Sequence, residues 1–540
     1  MSQISLQSAF DRISATLQRD RSSGYDDLKR ILRQSRGNTE YILSARIHHN
    51  QDIFEALAGQ IDSERAAYFK SFKSTSRSAG ASTGSRLASA SAAHRLALEV
   101  CVRDLKWRKV REILAHLTET FSSDEQDPIC EPLALDNAKA INEILAYRPH
   151  LEHVPSKEWK SLVKFALAEL ELLAGQGSSD SAGRRLSGIS NSSFALRTSR
   201  SHHSQTTKIN SSLQKHLLAE FARLLRHLTS SSAAPIASHA PLVLTPLIET
   251  LQKAGVPGST EVDLVAALNN VLTRSVTEAV TFIRNLTPTI VAIADALWAR
   301  LPPRLIALKD ELLSLMILLL PFIRAVTSHG TETSDVCQLV RNLADRLLKD
   351  YSSKAPKDLL GWDDLRLAPN LCNDNLHLPV FSLISSADES QRNWSTLILV
   401  VYLLDASSGD LVIGDGELPG SPRRKRMRRE SRYSQLVRTA REPGLSKSIA
   451  GLQLIAFYCQ FIPLPEQELF DVVQFIIPLL SDEDLTVTSW ASFTLSRSVR
   501  KKFDLRVIML TFVAAHARAL RRVPPWPGFG MKSGYSHREL

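Results

Sequence analysis

Apolar residues in this chain return every three or four positions, segment after segment. Phe10, Ile13 and Leu17 step this way, as do Phe54, Leu57 and Ile61. The pattern comes back at Ile141, Ile144 and Leu145, at Trp159, Leu162 and Val163, and at Leu217, Phe221, Leu224 and Leu228. Each set draws one apolar stripe along an α-helix. Strand-like alternation is scarce, and "LVIGDG" (residues 411–416) is its best, weak, candidate. Leu, Ala and Ile lead the apolar set while aromatics make up only 6%. Such side chains keep their rotamer freedom in a helix.

One stretch shows how the stripes pair. "PEQELFDVVQFIIPLLSDEDLTVTSWASFTLSRSVRKK" (residues 465–502) reads as two helices. The first presents Leu469, Val472, Val473, Ile476 and Ile477 and is ended or kinked at Pro478. Residues 481–484 form an acidic turn, and the second helix presents Val487, Trp490, Ala491 and Leu495. Acid at the helix start and base at its end suit the helix dipole. The unit resembles a HEAT repeat. A two-helix unit cannot bury its stripe alone, so neighbours must stack on it. The expected fold is therefore all-α, a HEAT-like helical-repeat solenoid.

Composition breaks divide the chain into a helical region at 1–173, a Ser-rich linker at 174–210 and helical repeats at 211–405. A basic loop at 406–445, further repeats at 446–522 and an irregular tail at 523–540 follow. "STSRSAGASTGSRLASASA" (residues 74–92) also reads as a flexible loop, being rich in Ser and Gly. Pro155 and Ser156 mark the start of the Trp159 helix and Gly175 its end. Thr260 with Asp263 resembles a capping box. The five cysteines lack zinc-finger or Cys-x-x-Cys spacing, which favours a reduced compartment over a disulfide framework. The start "MSQISLQSAF" carries no secretory pattern. The run at residues 312–323 is interrupted by Pro321 and too short to span a bilayer, so a buried core helix, and no membrane partner, is expected.

Enzyme signatures are missing: no Gly-rich phosphate loop ending in Lys-Ser/Thr and no Gly-x-Ser-x-Gly elbow occur. The adjacent pairs His48-His49 and His202-His203 lack metal-site spacing. The net charge of +10 is concentrated in a few places. Pro422, Arg423, Arg424, Lys425, Arg426, Arg428 and Arg429 lie in one eight-residue run that cannot enter a core. It reads as a nuclear import signal; a solvated loop or nonspecific phosphate-binding patch is the alternative. Ser187, after two arginines, and Ser204, before Gln205, are candidate phosphorylation sites on an accessible segment.

The N-terminal segment "LQRDRSSGYDDLKRIL" (residues 17–32) carries a helical stripe broken by Ser22, Ser23 and Gly24. Local rules place a turn there, with Ser23 capping a second helix that holds Asp26 and Asp27 in its first turn. The segment resembles the N-terminal motif of the ATM/Tel family of telomere-length-maintenance and DNA-damage kinases. Leu17, Arg19, Asp20, Arg21, Gly24, Asp27, Leu28, Lys29, Ile31 and Leu32 match, while Tyr25 departs from the usual Leu. Residues 98–117 and 130–155 also resemble fungal members. The resemblance implies the N-terminal docking scaffold of a large nuclear serine/threonine kinase. It implies docking of the double-strand-break sensor complex, with chromatin and telomere association indirect. ATP and magnesium would belong only to a kinase domain, whose signatures this chain lacks. Arg19, Arg21 and Lys29 are expected to shape a functional surface. A generic nuclear HEAT adaptor, and direct nucleic-acid binding through the basic regions, are the rival readings.

Overall fold

The computed structural model describes residues 5–15, 18–47, 50–73, 77–119, 121, 131–176, 211–253, 258–275, 279–328, 333–354, 393–394, 396–401, 403, 445–461 and 472–499. Among these residues no strand forms beyond a single Ile47–Gln51 bridge. The elements begin with α1 (Leu6–Ile13), α2 (Gln18–Gln34), α3 (Thr39–Ser44), α4 (Ile53–Lys73) and α5 (Arg77–Cys101). Next come α6 (Trp107–Glu119), α7 (Glu131–Ala146), α8 (Arg148–Glu152), α9 (Ser156–Gln176) and α10 (Ser211–Ser230). Then follow α11 (Ile236–Gln252), α12 (Ser259–Ser275), α13 (Val280–Ala299), α14 (Ile306–Ser328) and α15 (Thr333–Lys354). Beyond them stand α16 (Leu445–Phe461), a 3-10 turn (Ile477–Ser481) and α17 (Leu485–Val499). The chain divides into two compact units: Met1–Ile283 with Arg300–Glu311, and Arg284–Ala299 with Leu312–Leu540.

In the first unit the stripes find one another as stacked pairs. α4 packs on α5, α6 on α7, α9 on α10 and α11 on α12. One helix of each pair also packs on the next, giving the series α2, α5, α7, α10 and α12. The stripe residues Phe54, Leu57, Ile61, Ile141, Ile144, Leu145, Trp159, Leu217, Phe221 and Leu224 are all buried. Each buried side chain of this size contributes roughly 1.5–3 kcal/mol.

Polar bonds cross the same series. Arg95 on α5 reaches Asp136 at 3.1 Å and Glu143 at 3.3 Å on α7. Asn142 on α7 donates to the backbone oxygen and to Oε2 of Glu220 on α10, both at 2.8 Å. Arg226 on α10 meets Asp263 on α12 at 2.9 Å. Asn269 on α12 then donates to the backbone oxygen of Glu311 at 2.9 Å and to its Oε2 at 2.7 Å. Apolar stripes tolerate sliding along one another; such bonds do not, so they fix the register of successive helices.

The second unit contains residues 472–499 of the pair expected at 465–502, Leu469 lying outside the described residues. Pro478 lies in the 3-10 turn Ile477–Ser481 that follows the helical residues 472–476. Asp484 caps α17, its Oδ1 accepting from the Thr486 amide at 2.7 Å. Val487, Trp490, Ala491 and Leu495 are buried as the stripe requires. Trp490 packs at a tilt beside Trp394, and Tyr351 donates its hydroxyl to Gln453 at 2.7 Å. α14 buries Leu312, Leu315, Leu319 and Ile323, and it continues through Pro321 rather than breaking there. Among the described residues, α13 is long and apolar enough by composition to cross a membrane. Its Asp295 is ion-paired with Arg346 at 2.9 Å, while Ile290, Val291, Ala294 and Leu297 are buried.

Two local expectations are corrected. Most of residues 74–92 is not a loop: α5 begins at Arg77 and runs to Cys101. Its Ala90, Ser91, Ala93 and Ala97 are buried against neighbouring helices. Small side chains let those helices approach closely, and alanine is the best helix former. The start of α12 is capped not by Thr260 and Asp263 but by Glu261, whose Oε2 accepts from the Gly258 amide at 2.7 Å. Asp263 is instead the partner of Arg226. α9 begins at Ser156 as expected and ends one residue past Gly175.

Candidate functional site

The motif segment forms α2, and the expected turn at Ser22–Gly24 is absent: the helix runs unbroken from Gln18 to Gln34. The break falls earlier, where α1 ends at Ile13 and before α2 begins at Gln18. Ser5 starts α1, its hydroxyl accepting from the Ser8 amide at 3.1 Å. Gly24 has a different task from the one its local sequence suggests. A Cβ there would lie 2.7 Å from the backbone nitrogen of Ile13 and 2.9 Å from the carbonyl oxygen of Ala9. The glycine therefore lets α1 lie directly on α2. Its cost in helix propensity, about 1 kcal/mol, is outweighed by the contact it permits.

Charge fixes the hairpin on both sides. Asp27 is buried and accepts from Arg12 of α1 at 2.5 Å and from Arg30 at 2.7 Å. Arg21 donates Nε to the Ala15 carbonyl at 2.5 Å and reaches Glu64 of α4 at 3.3 Å. The Glu64 side chain is only 2% exposed and is also held by Arg86 of α5 at 3.0 Å. A carboxylate that far from water needs close cations to offset its lost hydration. Tyr25 is fully buried, and its hydroxyl has no hydrogen-bond partner among the described residues. Burial first, and then the charge of Glu64, push its phenol up.

The motif residues thus separate by role. Leu28, Ile31 and Leu32 are core, Gly24 is the crossing point, and Asp27 and Arg21 are ion-pair anchors. Lys29, 18% exposed, lies 3.6 Å from Asp26. Asp20 is half-buried. Arg19 belongs to α2, but its side chain is not described, and Leu17 lies outside the described residues. So do Ser187, Ser204 and the run Pro422–Arg429. Of the three cations expected on a functional surface, Arg21 is engaged inside the protein. Among the described residues no three His, Cys, Asp or Glu side chains gather as metal ligands.

Sequence reasoning missed Glu64, Arg86, Arg12 and the paired asparagines. The first three carry no local signal, since 43 residues separate Arg21 from Glu64. The asparagines did leave one: "AINEIL" (140–145) and "ALNNVL" (267–272) repeat one pattern, with Asn142 and Asn269 in the same place.

Residues 6–160 match the family model for telomere-length maintenance and DNA damage repair. Residues 162–502 match that of the Tel1 spiral domain. The serine/threonine-protein kinase tel1 of Emericella nidulans is 24% identical over 507 residues, covering 92% of this chain and 18% of that protein. Its counterpart from Aspergillus oryzae is 24% identical over 453 residues, covering 82% and 15%. The structure of a C2-symmetric CtTel1 dimer superposes with a TM-score of 0.62 at 17% identity, covering 95% of this chain and 16% of that one. The chain therefore spans less than a fifth of the length of these relatives. Fold and family matches together define an all-α HEAT-type helical protein whose residues 6–160 match the telomere-length-maintenance model. The chain belongs to the Tel1 family.

Proposed function

We propose that this chain is the N-terminal protein-docking scaffold of a Tel1-type serine/threonine kinase in DNA-break signalling and telomere-length maintenance. The observation that carries the reading is the succession of the two family matches, 6–160 and 162–502, which together take in nearly every described residue. Stacked helical repeats offer long faces suited to binding other proteins. The partner is the double-strand-break sensor complex, and chromatin and telomeres are reached through it rather than by direct contact. The protein works in the nucleus, with Pro422–Arg429 as its import signal and Ser187 and Ser204 as phosphorylation sites. ATP and magnesium are used in the kinase domain of the longer protein.

Deleting residues 5–34 from the native gene product tests this. The expected result is shortened telomeres and lost recruitment to breaks, with phosphorylation of a free peptide substrate retained. Normal telomeres with normal recruitment would overturn the reading. Loss of peptide phosphorylation in step with recruitment would place the segment in catalysis instead of docking.

A further inference from the structure

We infer that Glu64 and Arg86 are the hidden half of the N-terminal motif: positioning residues through which Arg21 holds the α1–α2 hairpin on α4 and α5. The inference deepens the docking reading above and rests on it for its biological meaning, though not for its geometry.

Four observations converge. Arg21 spends two donors at once, Nε on the carbonyl of Ala15 in the α1–α2 connection and Nη1 on Glu64. Glu64 has two arginines on it, one from α2 and one from α5, so three helices meet at one buried carboxylate. Arg86, 12% exposed, is itself mostly withdrawn from solvent and has Ser82 at 3.5 Å as a further acceptor. One turn before Glu64 on α4, Gln60 donates to the Ser14 hydroxyl at 3.4 Å, so one face of α4 holds the connection directly and, through Arg21, a second time.

The arrangement explains why this position takes arginine. A planar guanidinium can serve a carbonyl and a carboxylate at fixed angles, whereas a lysine ammonium is a point charge. Were Arg21 a docking cation, Glu64 would be a hindrance, neutralising the charge a partner should meet. As a positioning group, Arg21 depends on Glu64, and Glu64 on Arg86. Charges gathered on one buried carboxylate tolerate no single loss, because each removal leaves a partner uncompensated.

Hydrogen exchange on the purified full chain tests the lock, with telomere length in cells carrying the same alleles as the second readout. Arg21→Met, Glu64→Gln and Arg86→Met should each speed exchange of the α1 amides roughly 10- to 100-fold, the loss of one charge-assisted bond. Amides of α10 and α12 should stay as in the parent. Arg21→Met with Glu64→Gln should be no faster than the faster single variant. Arg21→Lys, which keeps the charge but not the fork, should fail to restore protection. Shortened telomeres in Glu64→Gln cells would match those of Arg21→Met cells.

Unchanged α1 exchange in Glu64→Gln, additive effects in the double variant, or full protection in Arg21→Lys would each overturn the lock. Unfolding of the entire chain by Glu64→Gln but not by Arg21→Met would overturn it too, by giving Glu64 a role independent of the motif. Coupled exchange with normal telomeres would uphold the lock and refute the docking role assigned to the hairpin.

Discussion

Gly24 and Gly59 both sit inside helices, yet they call for opposite substitutions. Gly24 faces the backbone of α1, which cannot move aside, whereas nothing lies within 4 Å of a Cβ at Gly59. Gly24→Ala should therefore destabilise by about 1–3 kcal/mol despite the better propensity, as overpacking does. Gly59→Ala should stabilise by about 1 kcal/mol. Urea unfolding of the two variants checks both signs. His94 offers a pH test. It is buried against Phe54 beside a cavity of about 90 Å³, also lined by Glu55, Lys109, Glu112 and His116. Burial first, then the charge of His116, holds its imidazole down to about 3 from 6.5. The unfolded chain takes up this proton near pH 6.5 and the folded chain only near 3. Between those values the unfolded state binds more protons, so stability falls as pH drops from 6.5. The loss is about 1.4 kcal/mol per pH unit. Burial raises Glu143 and Glu311, which act in the opposite direction. The difference between the parent chain and His94→Gln isolates the histidine: the variant should lose less stability between pH 6.5 and 5. Parallel slopes in the two would contradict this account.

At the scale of elements, what could be read from the sequence was whatever depends on period. The stripes of α4, α7, α9, α10 and α17 lie where their spacing put them, since one buried face is a strong local constraint. What could not be read depends on contacts far along the chain. Ser22–Gly24 reads as a turn until α1 is known to cross at Gly24. Residues 77–92 read as a loop because Ser, Ala and Gly carry no stripe, yet they suit a helix packed closely on α4 and α7. The Arg21–Glu64–Arg86 cluster was invisible for the same reason. A test of the close-packing account is Ala93→Leu on α5, where the parent residue is fully buried. It should lower stability by about 1–3 kcal/mol, although leucine is nearly as good a helix former. Urea unfolding with an unchanged or raised midpoint would show that α5 has room to spare.

At the scale of the molecule, the first compact unit is an array in which each helix answers mainly to its neighbours. In such an array stability is close to a sum of nearest-neighbour terms. Asn142→Leu and Asn269→Leu, on either side of α10, should each cost roughly 1–3 kcal/mol by leaving a buried (Glu220) or half-buried (Glu311) glutamate short of a donor. Their effects should add within about 0.5 kcal/mol in the double variant. The docking account also makes one statement about the native protein: these residues work at the head of a polypeptide several times longer. The most direct test is to immunopurify the native product with an antibody against residues 131–155, then measure its size, C-terminal peptides and kinase activity. The account predicts a chain several-fold above the 59.9 kDa of these residues, ending in an active kinase domain. A native product near 60 kDa without kinase activity would contradict it.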